Sequence, residues 1–157
     1  MILHGLYGNQ ANWLPQARQL AQDFDVYVLD ARNHRLSAWA PTMSLPEMAA
    51  DVAETLAALQ LPAAHLLGHS MGGKTAMLLA LLQPVLVKSL CVVDIAPVAY
   101  PQADGSVIRA LQAIELSTLT SRAAADAQLA LSINEKAVRD FLLANLQRDA
   151  EGRWSWR

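Results

Sequence analysis

The apolar positions of this chain fall into two textures that change near Pro97. Upstream, short runs of consecutive apolar residues alternate with stretches where apolar residues recur every three or four positions. Val26-Tyr27-Val28-Leu29 before Asp30, His65-Leu66-Leu67 before Gly68, and Leu90-Cys91-Val92-Val93 before Asp94 predict buried strands. Met1-Ile2-Leu3 reads as the tail of a further strand. Helices are predicted between them. Leu14, Ala17, Leu20 and Ala21 share one face of the first. Ser44-Leu45-Pro46-Glu47 reads as a capping box, and Met48, Val52, Leu56 and Leu59 continue at helical spacing until Leu61-Pro62. Met71 to Leu82 is apolar nearly all round, which predicts a buried helix. Strand-helix alternation with continuous apolar strands predicts an α/β fold, a parallel sheet with helices on both faces.

After Pro97 the pattern reads as helix upon helix. Val107, Ile108, Leu111 and Ile114 mark one, and a second lies roughly between Ser121 and Leu131. A third follows Asn134 as N-cap, with Val138, Phe141, Leu142 and Leu146 as its apolar face. Trp154-Ser155-Trp156-Arg157 then puts two tryptophans where a chain of this length expects exposed residues.

Composition narrows the class of protein. With 157 residues, 54% of them hydrophobic and a formal charge of −2, the chain can bury a core, and disorder is excluded. No basic field exists to hold a nucleic-acid backbone. Cys91 is the single cysteine, so an internal disulfide is impossible and a reducing, cytoplasmic setting is expected. No signal peptide or membrane-length apolar run is visible, so no membrane partner is expected.

Chemistry concentrates at Gly68-His69-Ser70-Met71-Gly72, a G-x-S-x-G between a predicted strand and a predicted helix. In a nucleophile elbow the turn is so tight that only small residues fit two positions either side of the serine. Gly68 to Thr75 also satisfies G-x-x-x-x-G-K-T, a phosphate-cradling P-loop with Lys74 and Thr75 in the lysine and magnesium-ligand places. Two upstream motifs favour the hydrolase. His4-Gly5-Leu6-Tyr7-Gly8 looks like an H-G-x-x-G oxyanion loop, and Asp30-Ala31-Arg32-Asn33-His34 has no counterpart requirement in a P-loop protein. In a serine hydrolase the backbone N–H groups of Leu6 and Met71 would converge on the tetrahedral oxyanion.

With these residues assembled, the chain resembles the small α/β-hydrolase esterases of the bacterial YbfF type and their mitochondrial abhydrolase relatives. HGLYG at 4–8, DARNH at 30–34, GHSMGGKTAMLLAL at 68–81 and VVDIAPV at 92–98 carry the resemblance. It implies a hydrolase of carboxylic esters or thioesters with short or medium acyl chains, with no cofactor and no metal. Ser70 would be the nucleophile, Leu6 and Met71 the oxyanion hole, and Asp94 the triad acid. The 24 residues from Ser70 to Asp94 suffice for a helix and a returning parallel strand, so both fall at one sheet edge. Residues 1–100 would form a partial hydrolase core, and 101–157 a partial helical lid over the acyl pocket.

Two departures from the resemblance matter. Arg35 stands where the family usually has glycine after its R-N-H motif, and a positive φ there would cost on the order of 1 kcal/mol. The catalytic histidine is also absent: the histidines are His4, His34, His65 and His69, and none follows Ser70. His69 is predicted to point into the sheet layer, His34 is the least implausible substitute base, and all four read as structural. His65 and His69 are four apart as in zinc helices, but a strand context defeats a metal site. The fold resembled has eight strands in the order 1-2-4-3-5-6-7-8. This chain accounts for strands 3 to 6, arranged 4-3-5-6, and so reads as truncated at both ends. Its open edges would favour edge-strand self-association. A non-catalytic remnant is the third reading beside esterase and nucleotide binder.

Overall fold

The computed structural model describes residues 1–100 and 105–157, and the chain divides into two compact units, Met1–Val98 and Ala99–Arg157. The first unit is built on four parallel strands: β1 (Ile2–Leu3), β2 (Val28–Leu29), β3 (Ala64–His69) and β4 (Val87–Val93). Their order is β2-β1-β3-β4, the 4-3-5-6 arrangement expected from the sequence. Ile2 pairs with Val28 on one side and Leu67 on the other, while Leu66 pairs with Leu90. Every strand enters from the same end, so the residues that follow them (His4, Asp30, Ser70 and Asp94) all emerge at the carboxyl edge.

Helices α2 (Leu45–Ala58) and α3 (Met71–Leu82) bury one face of this sheet. Leu3, Ala49, Val52, Leu66, Ala76 and Leu79 form that core. Side chains alternate along β3, so His65 and Leu67 turn to the opposite face. There the Phe24 ring meets the His65 imidazole edge-on at 5.7 Å, just beyond α1 (Leu14–Leu20). A groove of about 600 Å³ remains on this side, lined in part by Leu20, Phe24, Leu67 and Cys91.

Local signals in the sequence account for most boundaries. The Ser44 side chain accepts from the Glu47 N–H while Glu47 returns a bond to the Ser44 N–H, so the expected capping box starts α2. These bonds and the Thr42 hydroxyl hold the Glu47 carboxyl down to a pKa of about 2. The helix stops before Leu61-Pro62, because Gln60 takes the left-handed conformation at φ 57° and ends the hydrogen-bond ladder.

Other expectations need correction. Strand β2 pairs only through Val28 and Leu29; Val26 and Tyr27 precede it, and the Tyr27 carbonyl accepts the Ile2 N–H at 2.8 Å. In α1 only Ala17 is buried, and Leu14 and Leu20 stay partly exposed. The helix α3 has the predicted ends but not the predicted burial: its first turns are enclosed, whereas Leu81 and Leu82 project into solvent. An apolar circumference shows what a helix can bury, and only its neighbours decide how much it does.

The second unit holds α4 (Ser106–Gln112), α5 (Arg122–Leu129) and α6 (Lys136–Leu143), followed by the antiparallel pair β5 (Leu146–Arg148) and β6 (Trp154–Trp156). Ser121 caps α5 through the Ala124 N–H. The α6 cap position falls on Glu135 rather than Asn134, without a side-chain cap bond. The hairpin is absent from the sequence expectation of helix upon helix. Trp154 and Trp156 are partly buried in it, with the Arg148 guanidinium 5.5 Å from the Trp154 ring. Leu146, expected on the α6 face, is instead the first residue of β5 and fully buried. Among the described residues no helix is long and apolar enough to cross a membrane.

Candidate active site

Ser70 occupies a one-residue turn between β3 and α3, with φ 50° and ψ −116°. A non-glycine residue holds such a conformation only when its surroundings enforce it. Here the Ser70 N–H donates to the Val93 carbonyl at 3.0 Å, and its own carbonyl accepts the Lys74 N–H at 3.0 Å. The flanking glycines allow the crossing. A Cβ on Gly68 would strike the Gly72 carbonyl oxygen, and one on Gly72 would strike the Leu3 and His4 carbonyl oxygens. The chain therefore approaches β1 more closely than any side chain permits.

That approach brings the loop after β1 onto Ser70. A Cβ on Gly5 would lie 3.2 Å from the Ser70 Cβ and 2.8 Å from the His69 Nδ1. Leu6 follows Gly5 and Met71 follows Ser70, so each expected oxyanion donor is one residue removed from this contact. The loop closes on itself through the Gly8 N–H to the Gly5 carbonyl at 2.9 Å, with Tyr7 left-handed at φ 61°.

His4 anchors this loop from inside. Its Nδ1 donates to the Gly5 carbonyl at 2.8 Å and its Nε2 accepts the Ala31 N–H at 3.0 Å. One nitrogen donates and the other accepts, so the imidazole is the neutral Nδ1–H tautomer. Burial lowers its pKa further. His34, also buried, donates from Nδ1 to the Arg32 carbonyl at 2.9 Å, and its ring lies tilted by 58° against the His4 ring with the centroids 4.9 Å apart. The bond to Arg32 and the contact with His4 tie the His34 ring to its own loop. Arg32 grips Asp51 of α2 with two bonds of 2.6 Å, so the Asp30–His34 motif clamps the loop to the core.

Asp94 leaves β4 with φ 56° and its side chain 85% exposed. Its Oδ2 lies 3.6 Å from the His69 Nε2. The expectation that His69 points into the sheet layer is therefore corrected. Its ring stands at the carboxyl edge against Gly5 and Asp94, with the Trp13 ring 6.0 Å away. Asn9 is a member the sequence reading overlooked. Buried, it caps the turn at Gln10–Trp13 and accepts from Arg35 at 3.3 Å. Its signal was an asparagine one residue past H-G-x-x-G, an ordinary N-cap. Arg35 does adopt the left-handed conformation, at φ 45°, so the glycine-to-arginine departure is strained as anticipated.

The P-loop alternative does not survive this geometry. A phosphate cradle needs an open loop of backbone N–H groups between strand and helix. Here β3 runs through His69 and α3 begins at Met71, which leaves a single residue. Thr75 is buried and its hydroxyl donates to the Met71 carbonyl at 3.0 Å, while the Lys74 Nζ donates to the Val98 carbonyl at 3.4 Å. Among the described residues no cluster of three or more histidine, cysteine or acidic side chains could hold a metal ion.

A parallel sheet with a strained serine at a strand-to-helix elbow defines the α/β-hydrolase class, and residues 1–147 match that family: the chain belongs to the alpha/beta hydrolase fold family. It is 41% identical to the sn-1-specific diacylglycerol lipase ABHD11 of Xenopus tropicalis over all of this chain and 51% of that protein. It is 37% identical to the esterase YbfF of Escherichia coli over 98% of this chain and 60% of that protein. Among solved structures, a marine microorganism esterase superposes with a TM-score of 0.94 at 40% identity, over 99% of this chain and 62% of that one. The chain thus spans between half and two thirds of the length of these relatives.

Proposed function

We propose that this chain carries the nucleophile half of a hydrolase for carboxylic esters or thioesters. The observation that carries the reading is the strained Ser70 elbow packed against Gly5. The relatives named as lipase and esterase support the substrate class. In this reading the Ser70 Oγ attacks the acyl carbon, and the N–H groups of Leu6 and Met71 stabilise the developing oxyanion at about 3 kcal/mol per donor. The alkoxide or thiolate leaves protonated, and water then releases the acid from the acyl-enzyme. Asp94 orients the imidazole that shuttles the proton. Residues 101–157 contribute to the cover of the acyl pocket, and small acyl esters or thioesters are the partners.

A serine hydrolase needs that imidazole, and no histidine of this chain follows Ser70. His4, His34 and His65 are each committed to hydrogen bonds elsewhere. His69 is the one that faces Asp94. The 157 residues by themselves are expected to accelerate ester hydrolysis by no more than about 10³–10⁴ over water, the share left by an oxyanion hole and binding. Two measurements test the reading. A fluorophosphonate probe should label a protein containing these residues together with a downstream histidine, and Ser70→Ala should abolish the label. An aryl butyrate assay on the 157-residue chain should show only the residual rate. Labelling that persists in Ser70→Ala would sink the assignment of the nucleophile.

A further inference from the structure

We propose that Lys74 is a positioning residue for Asp94, fastening the exit of β4 to the first turn of the helix that follows Ser70. The inference rests on the reading of Ser70 and Asp94 as nucleophile and triad acid. Lys74 is the residue that a P-loop would turn on a phosphate, and the one-residue elbow gives it no cradle to serve. Its half-buried side chain is committed to a different partner.

Asp94 needs such a device because burial cannot place it. Its side chain is 85% exposed, and its Oδ2 approaches the His69 Nε2 at 3.6 Å, longer than a hydrogen bond. The backbone therefore sets its direction, with φ 56° just past the end of β4. A non-glycine residue stays in that conformation only where its surroundings enforce it. The next four residues, Ile95 to Val98, belong to no helix or strand, and Pro97 among them has no N–H to donate. No regular ladder holds the segment in place.

The elbow and the first turn of α3 hold it at three points. Just before Asp94, the Val93 carbonyl accepts the Ser70 N–H at 3.0 Å. Just after it, Ile95 seats on Gly73, where a Cβ would lie 2.7 Å from the Ile95 Cγ2. Four residues past it, the Val98 carbonyl accepts from the Lys74 Nζ at 3.4 Å. The Lys74 N–H also donates to the Ser70 carbonyl at 3.0 Å. One residue is thus bonded to the nucleophile through its backbone and to the acid's segment through its side chain. The long stem supplies the reach, and a cationic donor strengthens the bond over a neutral one.

Amide hydrogen exchange on the 157-residue chain, resolved by residue, tests this. The Ser70 N–H reports on the exit of β4, because its acceptor is Val93. The Leu67 N–H, bonded to the Met1 carbonyl at 2.9 Å, reports on the β1 side of β3. Lys74→Met keeps most of the aliphatic stem and removes the donor. It should speed exchange at Ser70 by roughly three- to tenfold, the scale of one hydrogen bond lost, and leave Leu67 unchanged. Ile95→Ala, which removes the middle contact, should give the same pattern. Lys74→Arg should restore the parental rate. The His69 imidazole resonances should move in Lys74→Met in the direction that Asp94→Asn moves them, and stay at the parental position in Lys74→Arg. Exchange at Ser70 that is unaltered in Lys74→Met, or altered in step with Leu67, overturns the proposal. So do His69 resonances that respond to Asp94→Asn and not to Lys74→Met. Probe labelling that survives Ser70→Ala would remove the nucleophile without touching these exchange rates, so the two failures are told apart.

Discussion

Gly72→Ala should destabilise the protein, although the position is in the first turn of a helix, where alanine ordinarily gains about 1 kcal/mol over glycine. The added methyl would collide with the carbonyl oxygens of Leu3 and His4. These are backbone atoms of β1 and its exit, and β1 is paired on both sides, with Val28 and Leu67. Relief requires α3 and the sheet to separate by about an ångström, which places the cost at or above the upper end of the usual overpacking range of about 1–3 kcal/mol. After the helix-propensity gain, the net loss is about 2 kcal/mol, or about 4–8 °C in Tm for a chain of this size. Gly73→Ala is the matched comparison. Its methyl would meet the Ile95 Cγ2 at 2.7 Å and the Gly68 carbonyl oxygen only at 3.0 Å, a looser backbone contact, and it should cost less than Gly72→Ala. Thermal melts followed by circular dichroism decide the order. If Gly72→Ala melts at or above the parent, or below it by less than Gly73→Ala, the close approach of α3 to β1 is wrong.

Two further outcomes follow from the site. His4 has its pKa lowered by burial, so the folded state binds fewer protons than the unfolded one beneath the ordinary value of 6.5. Its contribution to stability is therefore complete above that value and is lost as pH falls through the window below it. Urea midpoints should drop between neutral and mildly acidic pH, and His4→Gln should flatten that part of the dependence. A pH profile identical in parent and variant would contradict the buried neutral tautomer. Titration calorimetry with magnesium-ATP at millimolar concentration should give no binding; binding lost in Lys74→Ala would restore the nucleotide reading.

Local sequence was enough wherever a signal acts within a few residues. The capping box at Ser44, the elbow at Ser70 and both ends of α3 were legible because each is set by hydrogen bonds or sterics between near neighbours. The parallel order of the strands also agreed, though it rested on resemblance, since periodicity alone is silent about which strand lies beside which. Misreadings cluster where distant partners decide. The hairpin of β5 and β6 was missed because its strands are three residues each, too short for alternation to register. Leu81 and Leu82 looked like core and are solvent-facing, because they lie on the side of α3 turned away from Ala76 and Leu79, which pack on the sheet.

Sequence by itself determined that this chain folds as an α/β protein, where its serine elbow falls, and that no histidine follows it. Tertiary structure alone decided the rest of the site. It turned His69 toward Asp94, seated His4 as a neutral staple between two loops, and closed the turn that a phosphate would have needed open. The physical reason is one of range. A backbone turn is chosen by the residues that make it, whereas the direction of a side chain and the protonation of a buried ring depend on groups that folding brings from elsewhere in the chain.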